Sequence, residues 1–373
     1  MKPRKANKVS DEILDFRLPP NNVIQPKKQS SKKMPKDKRF DEYTISEPVQ
    51  LLLFKIEEKE FSQTIELYDF MPKYVWGKRG IIEGNVILRD FASRGTHYTL
   101  GIHPATLVDT ETGETRYEYP GRREQIIEEV LRKLAIEGAG KFLDQSAAVT
   151  FSLYEVQQEL EKHNHSMSYP QIREALEILA FTRLELMNAE DKRDKIVFSP
   201  IENLGISGSG GETQTFAIFS PLVTKSIING SFRLYNYKQV MRYRSVISRL
   251  LHKRLAHHFT QASIAHQYTI TASTIVRDFG LIPQKRIRTN LNKIKAALEE
   301  MRTGVFKTNK TSSQKTQIKE FQPVILNYKV FPVGEGKIIE DYRIEITPTA
   351  TFVSETIKAN QVQKLNGSSQ FLP

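Results

Sequence analysis

The chain has 373 residues, with 55 Lys and Arg against 43 Asp and Glu for a net charge of +12, and it contains no cysteine. That length accommodates two domains of ordinary size and a tail, and the cation excess favours a polyanionic partner, nucleic acid or an anionic membrane surface. Disulfides and thiolate chemistry are excluded, no run of roughly 18 apolar residues could span a bilayer, and the basic opening MKPRKANK leads into no apolar signal region. A soluble cytoplasmic protein with no membrane partner is therefore expected.

The charge is unevenly placed. Residues 1–39 hold 12 cations and four acids with few apolar residues between them, so a disordered basic tail is expected over residues 1–45. Beside it stands the short apolar segment Gln50-Leu51-Leu52-Leu53-Phe54. Residues 121–200 are net −3, whereas residues 236–302 hold 13 cations and three acids, net +10. A nucleic-acid surface is thus expected mainly in the second half, with the tail as an auxiliary.

Val86–Ala92 and Thr96–His103 read as a hairpin turning through Ser93-Arg94-Gly95. Residues 60–120 then form a β-hairpin extension packed on a first domain. In that domain, Ile126, Ile127, Val130, Leu131 and Leu134 recur at helical spacing until Gly138 and Gly140 stop the helix. A short strand at Val149–Phe151 precedes a helix capped by Ser152 that ends near His163. Ser168 caps the next helix, with Pro170 in its first turn. Strands Arg183–Met187 and Lys195–Ser199 close the unit, 121–204, in the order of a winged helix. Gly205–Gln214 reads either as a linker or as a loop before a strand at Phe216–Ser220.

The second unit, 215–350, repeats the order of elements without repeating the sequence. A long helix over Tyr235–Phe259 carries an apolar stripe that includes Val240, Tyr243, Ile247, Leu251 and Leu255. Tyr268–Thr271 is a short strand, and Ala272–Phe279 is a helix capped by Thr271 or Ser273 and ended by Gly280. Pro283 opens a helix reaching Arg302. A hairpin from Phe321–Phe331 to Ile338–Ile346 is the wing, turning at Val333–Gly336, and residues 351–373 are a C-terminal tail. The fold class expected is α+β, two tandem winged-helix domains behind a small β-hairpin region.

In a helix-turn-helix the second helix enters the major groove, its N-terminal residues towards the base edges. At about 100° per residue, Ile287, Leu291, Ile294, Leu298 and Met301 share one face of the helix from Pro283. Lys285, Thr289, Asn292 and Ala296 lie opposite, flanked by Arg286, Arg288, Lys293 and Lys295. Arg can bridge guanine O6 and N7, Asn can bridge adenine N6 and N7, and Lys and Thr can hold phosphates. Arg277 on the preceding helix and Lys307 and Lys310 in the wing complete the candidate DNA contacts. The matching helix of the first unit shows Arg173, Glu174 and Glu177 outward, so that unit serves protomer contact or phosphate contact at its edges.

Enzymatic parts are missing from the sequence. Gly138-Ala139-Gly140-Lys141 lacks the spacing of a P-loop. His163-Asn164-His165 has a polar centre and falls in a turn, where a solvated pair is expected. His257 and His258 diverge by about 100° on a helix. Glu57-Glu58 and Glu128-Glu129 read as exposed helix faces. No catalytic constellation, metal site or cofactor is expected, and the chain reads as a binder.

The stretches YPGRREQIIEEVLRKLA and VTFSLYEVQQEL in the first unit, with FRLYNYKQVMRYRSVISRLLHKRLAHHF and TASTIVRDFGLIPQKRIRTNLNKIKAALEEM in the second, resemble the replication initiators of iteron-bearing bacterial plasmids. The resemblance covers roughly Tyr119 to Ile346. It implies specific binding to repeated origin sequences in double-stranded DNA, assistance in opening an adjacent A·T-rich segment, and often repression of the protein's own promoter. It also implies a monomer–dimer switch through the first winged helix and recruitment of the host initiator and replicative helicase. The family's reading helix falls on Pro283–Arg302 and its dimer surface on Gly121–Ser199.

Gln50, Leu51, Leu53 and Phe54 resemble the peptide by which bacterial proteins dock on the sliding clamp, with Leu52 where that peptide has Ser or Asp. A leucine and an aromatic ring would fill an apolar pocket while the Gln amide meets buried polar groups. A plain strand over Val49–Phe54 is the other reading. A sequence-specific transcriptional repressor without a replication role shares the same DNA-binding half and remains the alternative function.

Overall fold

The computed structural model describes residues 60–77, 84–109, 111–143, 145–191, 193–208, 214–259, 262–263, 265–283, 287–307, 315–317, 321–335 and 338–368, with side chains described except at 306–307, 315–317 and 362–368. The expected basic tail and the Gln50–Phe54 segment lie outside the described residues.

Strand β1 (Phe61–Thr64) leads into the short helix α1 (Glu66–Phe70). Hairpin β2 (Ile87–Ser93) and β3 (Thr96–His103) turns through Arg94 and Gly95 at φ of 49° and 80°. A second hairpin, β4 (Ala105–Val108) and β5 (Thr115–Glu118), precedes α2 (Arg122–Leu134). Then come β6 (Gly140–Leu143), β7 (Ser146–Phe151), α3 (Leu153–Lys162), α4 (Tyr169–Phe181), β8 (Arg183–Asn188) and β9 (Lys195–Phe198). The Ser152 side chain caps α3 by accepting from Glu155 N–H at 3.2 Å while the Glu155 carboxylate accepts from Ser152 N–H at 2.7 Å, the reciprocal box its sequence implies.

This unit keeps the winged-helix order of elements but routes its strands into two antiparallel sheets. One, β2-β3-β8-β9, joins the N-terminal hairpin to the wing; the other, β10-β11-β7-β6, takes in β10 (Ile201–Ser207) and β11 (Gln214–Phe219). Gly205, Ile206, Ser207 and Gln214 are therefore paired strand, and residues 209–213 lie outside the described residues. Gly205 faces Phe216 across that hairpin, and a Cβ there would meet the ring at 2.0 Å, so only glycine lets the aromatic lie over the strand.

The chain continues through α5 (Pro221–Ile228), β12 (Arg233–Asn236), α6 (Tyr237–Arg242) and α7 (Val246–His258). The single long helix expected over Tyr235–Phe259 is in fact a strand and two helices. The chain breaks at Tyr243–Ser245, where Ser245 caps α7 and Glu300 accepts N–H groups of Arg244 (2.6 Å) and Ser245 (3.1 Å). β12 pairs with β1, from Phe61↔Asn236 to Thr64↔Arg233, which ties the start of the described chain to the second unit.

β13 (Tyr268–Thr271), α8 (Ala272–Asp278), α9 (Ile287–Thr303), a small hairpin β14 (Val305–Lys307) and β15 (Lys315–Gln317), and the wing strands β16 (Ile325–Val333) and β17 (Asp341–Pro348) follow. Here the sheet order is β13-β17-β16, the short strand pairing with the returning wing strand as a winged helix requires. Ile270, Ile344 and Ile346 face the core, against the buried Leu291, Ile294 and Leu298 of α9.

Residues 351–373, expected as a tail, include most of a helix, α10 (Ala350–Ser368). Thr349 Oγ1 accepts from Phe352 N–H at 3.2 Å, and Phe352, Thr356 and Ala359 are buried one above another at helical spacing. Asn236 of β12 donates to Glu355 at 3.1 Å, which seats the helix on the second unit.

Glu128 and Glu129, expected on an exposed face, are 3% and 7% exposed. They belong to a buried ionic network. Arg132 Nη1 lies 2.6 Å from Asp69 Oδ1, and Lys253 Nζ lies 3.2 Å from that oxygen and also contacts Glu129, whose carboxylate takes the Tyr235 hydroxyl at 2.5 Å. Glu128 takes the Tyr74 hydroxyl and lies 3.8 Å from Lys73 Nζ. Burial pushes the Asp69 carboxyl up, but Arg132, Lys253 and Lys73 outweigh it and hold the group far below the usual carboxylate range.

Candidate nucleic-acid interface

α8 and α9 form the helix-turn-helix. Thr271 Oγ1 accepts from Thr274 N–H at 3.2 Å to cap α8, and Gly280 ends it at φ +61°. The turn between the helices is held from outside the unit. Trp76 Nε1 donates to Phe279 O at 2.6 Å. Arg89 of β2 donates through Nη1 to Pro72 O (2.7 Å) and Tyr74 O (2.6 Å), and a Cβ on Gly280 would come within 2.4 Å of that nitrogen. The N-terminal hairpin thus clamps the turn that aims α9.

α9 is described from Ile287, and Pro283, expected to open it, is not helical. Leu281–Pro283 are not helical, consistent with the extended backbone that a proline imposes on the residue before it. From Ile287 onward the expected faces hold: Leu291, Ile294, Ala297, Leu298 and Met301 are buried, and Arg288, Thr289, Asn292, Lys293, Lys295 and Ala296 are exposed. Among the described residues, no ion pair engages Arg288, Lys293 or Lys295. The face is cationic, hydrogen-bonding and open. Lys285, Arg286 and Lys310 lie outside the described residues, and Lys307 is placed in β14 by its backbone alone.

Arg277 is exposed, but its Nε donates to Asp278 Oδ1 at 2.7 Å. Asp278, 2% exposed, also takes Arg254 at 3.0 Å. Arg277 is therefore partly neutralised and stands apart from the open cations of α9.

The two acids at the far end of α9 differ. Glu299 pairs with Arg302 at 2.8 Å, while Glu300 is fully buried and also accepts from Ser248 Oγ at 2.6 Å. Glu300 therefore locks the C-terminal half of α9 onto the start of α7. Of the basic stretch after α9, Lys307 and Lys315 lie in the small β14–β15 hairpin rather than in the wing strands. Among the described residues of the wing tip, Val333, Ile338 and Ile339 are exposed together with Glu335 and Glu340, and Lys337 lies outside the described residues.

The corresponding helix of the first unit is covered. Glu174 of α4 is held by Arg116 and by Arg123 Nη1 at 2.6 Å, and Leu107 and Ala105 of β4 bury Ile178 against the helix. The β4–β5 hairpin thus occupies the side from which a groove would approach. His163 and His165 are not the solvated pair expected. His163 is 8% exposed and lies 3.2 Å from Glu159, and His165 Nε2 lies 2.8 Å from Met241 O. His257 meets Thr64 O at 2.8 Å and His258 lies 3.8 Å from Glu66. Among the described residues no group of three His, Cys, Asp or Glu could hold a metal ion, and no helix is long and apolar enough to cross a membrane.

The fold is therefore α+β with two winged-helix units, one presenting an open cationic helix and the other a covered one. No protein-family model matches the chain, nor does any curated protein. Among solved structures it is similar to domains 2 and 3 of RctB, at 10% identity over 82% of this chain and 99% of that one, with a TM-score of 0.44. A second structure of RctB domains 2–3 gives 11% identity, 77% and 99% coverage and a TM-score of 0.42. The Pi initiator protein in complex with iteron DNA gives 12% identity, 61% and 91% coverage and a TM-score of 0.40.

Proposed function

We propose that the chain is a replication initiator of the iteron-plasmid type, which binds repeated origin sequences in double-stranded DNA through its second winged helix. The observation that carries this reading is the outward face of α9. Arg288, Thr289, Asn292, Lys293 and Lys295 stand exposed together, with no carboxylate among the described residues paired to the three cations, on a helix whose opposite face is locked in the core. Bidentate Arg and Asn donors on a rigid helix supply base readout, and the lysines supply phosphate contact.

In this reading the first unit organises rather than reads. It self-associates in a monomer–dimer switch, assists origin opening and helps recruit the host initiator and replicative helicase, with Gln50, Leu51, Leu53 and Phe54 as the sliding-clamp contact. The chain acts by binding rather than by catalysis.

Selection of binding sites from random duplex DNA at physiological salt tests it, because salt weakens the sequence-independent electrostatic contribution. A motif that recurs as tandem repeats on the parent replicon is the expected result. A single palindrome at the gene's own promoter would replace the initiator by a repressor, and no motif would remove the assignment of α9.

A further inference from the structure

In a helix-turn-helix the N-terminal half of the second helix faces the base edges, and in this chain that half is positioned from outside its own unit. The C-terminal half of α9 is fixed within the second unit by Glu300. Its start follows the turn at residues 279–283, which is gripped by residues of the β-hairpin extension. Trp76 Nε1 donates to Phe279 O at 2.6 Å, and the half-buried Trp76 ring lies 5.6 Å from that of Tyr74. Gly280 comes so close to the Arg89 guanidinium that no side chain fits between them. Asn290 of α9, 3% exposed, donates through Nδ2 to Ile282 O at 3.5 Å, which ties the turn to the start of the helix.

Residues 72–77 are held in their turn by the first unit. Val75 N–H donates to Pro120 O at 2.8 Å, and the Tyr74 hydroxyl donates to Glu128 of α2. Arg89 of β2 donates to Pro72 O and Tyr74 O at 2.7 and 2.6 Å. A guanidinium that directs its donors to main-chain carbonyls fixes the course of a backbone. The path from α2 and β2 through residues 72–77 to the turn before α9 is therefore continuous.

We propose that Trp76 and Arg89 are positioning residues for DNA recognition, which set the selectivity of α9 from the first unit without touching a base. The proposal rests on α9 being the reader. Base-edge hydrogen bonds from Arg288 and Asn292 need the helix held to about 0.5 Å. Lysines on phosphates tolerate a displaced helix, because a flexible stem carries a point charge. Loss of the grip should reduce specific binding and spare sequence-independent binding. Selectivity is then a property of the two units together, although only one of them carries the reading face.

The test uses the full chain and two variants. Trp76→Phe keeps a ring and removes the Nε1 donor; Arg89→Met keeps the stem and removes the donors to Pro72 O and Tyr74 O. Affinity is measured for the selected site and for a random-sequence duplex, each against salt, with circular dichroism and thermal midpoints as folding controls. The ratio of the two affinities should fall by about threefold to tenfold in each variant, the worth of one hydrogen bond. The random-sequence affinity and its salt slope should stay as in the native chain, since no phosphate contact is lost. A merely stabilising role would lower the folded fraction, which cuts both affinities in proportion and leaves the ratio unchanged. Trp76 is the sole tryptophan of the chain, so its emission reports the grip, and Arg89→Met should shift it to the red.

An unchanged ratio in both variants overturns the proposal, whatever the emission does. A fall in one variant alone assigns the role to that residue and removes it from the other. Should Arg89→Met not fold, Arg89→Lys, which keeps the charge without the fork, takes its place and the same ratio decides. Arg288→Ala and Asn292→Ala are measured alongside. If those two keep the ratio, α9 is not the reader; if they lower it while Trp76→Phe and Arg89→Met do not, α9 reads and only the grip from the first unit is refuted.

Discussion

Asn292 and Arg288 sit one turn apart on the exposed face of α9, where each side chain can reach a base edge without disturbing the core. Replacing either by Ala should remove about 1–3 kcal/mol of specific binding and relax the preference at one base position. Competition titration of the selected site against single-base variants measures both effects. Lys293→Ala should instead weaken all sequences alike, as a phosphate contact does. If Arg288→Ala and Asn292→Ala both leave specific binding unchanged, α9 is not the reader. His252 offers a residue-scale test of a different kind. It is 1% exposed, beside Tyr243 and edge-on to Phe352, and burial pushes its imidazole down to about 3. A base whose folded value is depressed supports folding fully above its unfolded value near 6.5 and loses that support as the pH falls towards the folded value. At pH 5 the loss is about 2 kcal/mol. His252→Gln should therefore flatten the fall in thermal midpoint between pH 7.5 and pH 5, and an equally steep fall in the variant would rule the group out as its cause.

At the scale of elements, Glu300 joins two helices that each look complete in isolation. Its carboxylate, carried by α9, caps the first turn of α7 through Arg244 N–H, Ser245 N–H and Ser248 Oγ. Glu300→Gln keeps the shape but puts an N–H₂ where an acceptor stood, so about 1–3 kcal/mol of stability should be lost. Urea unfolding measures this, and retained base preference in the folded variant would show that Glu300 positions α9 without touching DNA. The break before α7 was hidden in the sequence for the same reason: Val240, Tyr243, Ile247 and Leu251 make a continuous helical stripe, and the capping carboxylate is distant along the chain. Signals that act within a few residues were legible, among them the Ser152 cap, the Thr271 cap, Gly280, and the burial pattern of α9 from Leu291 to Met301. Strand partners were not, because period-two patterns say which residues face inward but not which strand lies alongside. Nothing local announces that Gly205 belongs to a hairpin under Phe216 or that Phe61–Thr64 pairs with Arg233–Asn236. In α10, Phe352, Thr356 and Ala359 did repeat at helical spacing, but two of the three are weak hydrophobes among polar neighbours. The open face of the candidate site was readable because it depends on one helix; the buried network of Asp69, Glu129, Arg132 and Lys253 was not, because its positions converge only in the fold.

For the whole molecule, the buried network of Asp69, Glu129, Arg132 and Lys253 decides whether two units behave as two. Asp69 comes from α1, Glu129 and Arg132 from the first unit, and Lys253 from the second, all nearly sealed from water. Burying such charges is costly, and the cost is offset only while every partner is present. Either winged-helix unit alone would therefore face water or apolar surface with unpaired charges, and the apolar residues around the network form one continuous core with both units. Unfolding by denaturant should accordingly be a single cooperative transition with coincident fluorescence and circular-dichroism curves. Lys253→Met removes one cation while keeping most of its volume, leaving Arg132 as the ion-pair partner of Asp69 and the Tyr235 hydroxyl on Glu129. Breaking a buried pair in this way should cost about 3–5 kcal/mol. The loss should shift the whole transition rather than divide it, because the same residues hold both units. Two resolved transitions in the native chain, or a Lys253→Met variant as stable as the native chain, would show that the units fold independently and that the network is incidental to their union.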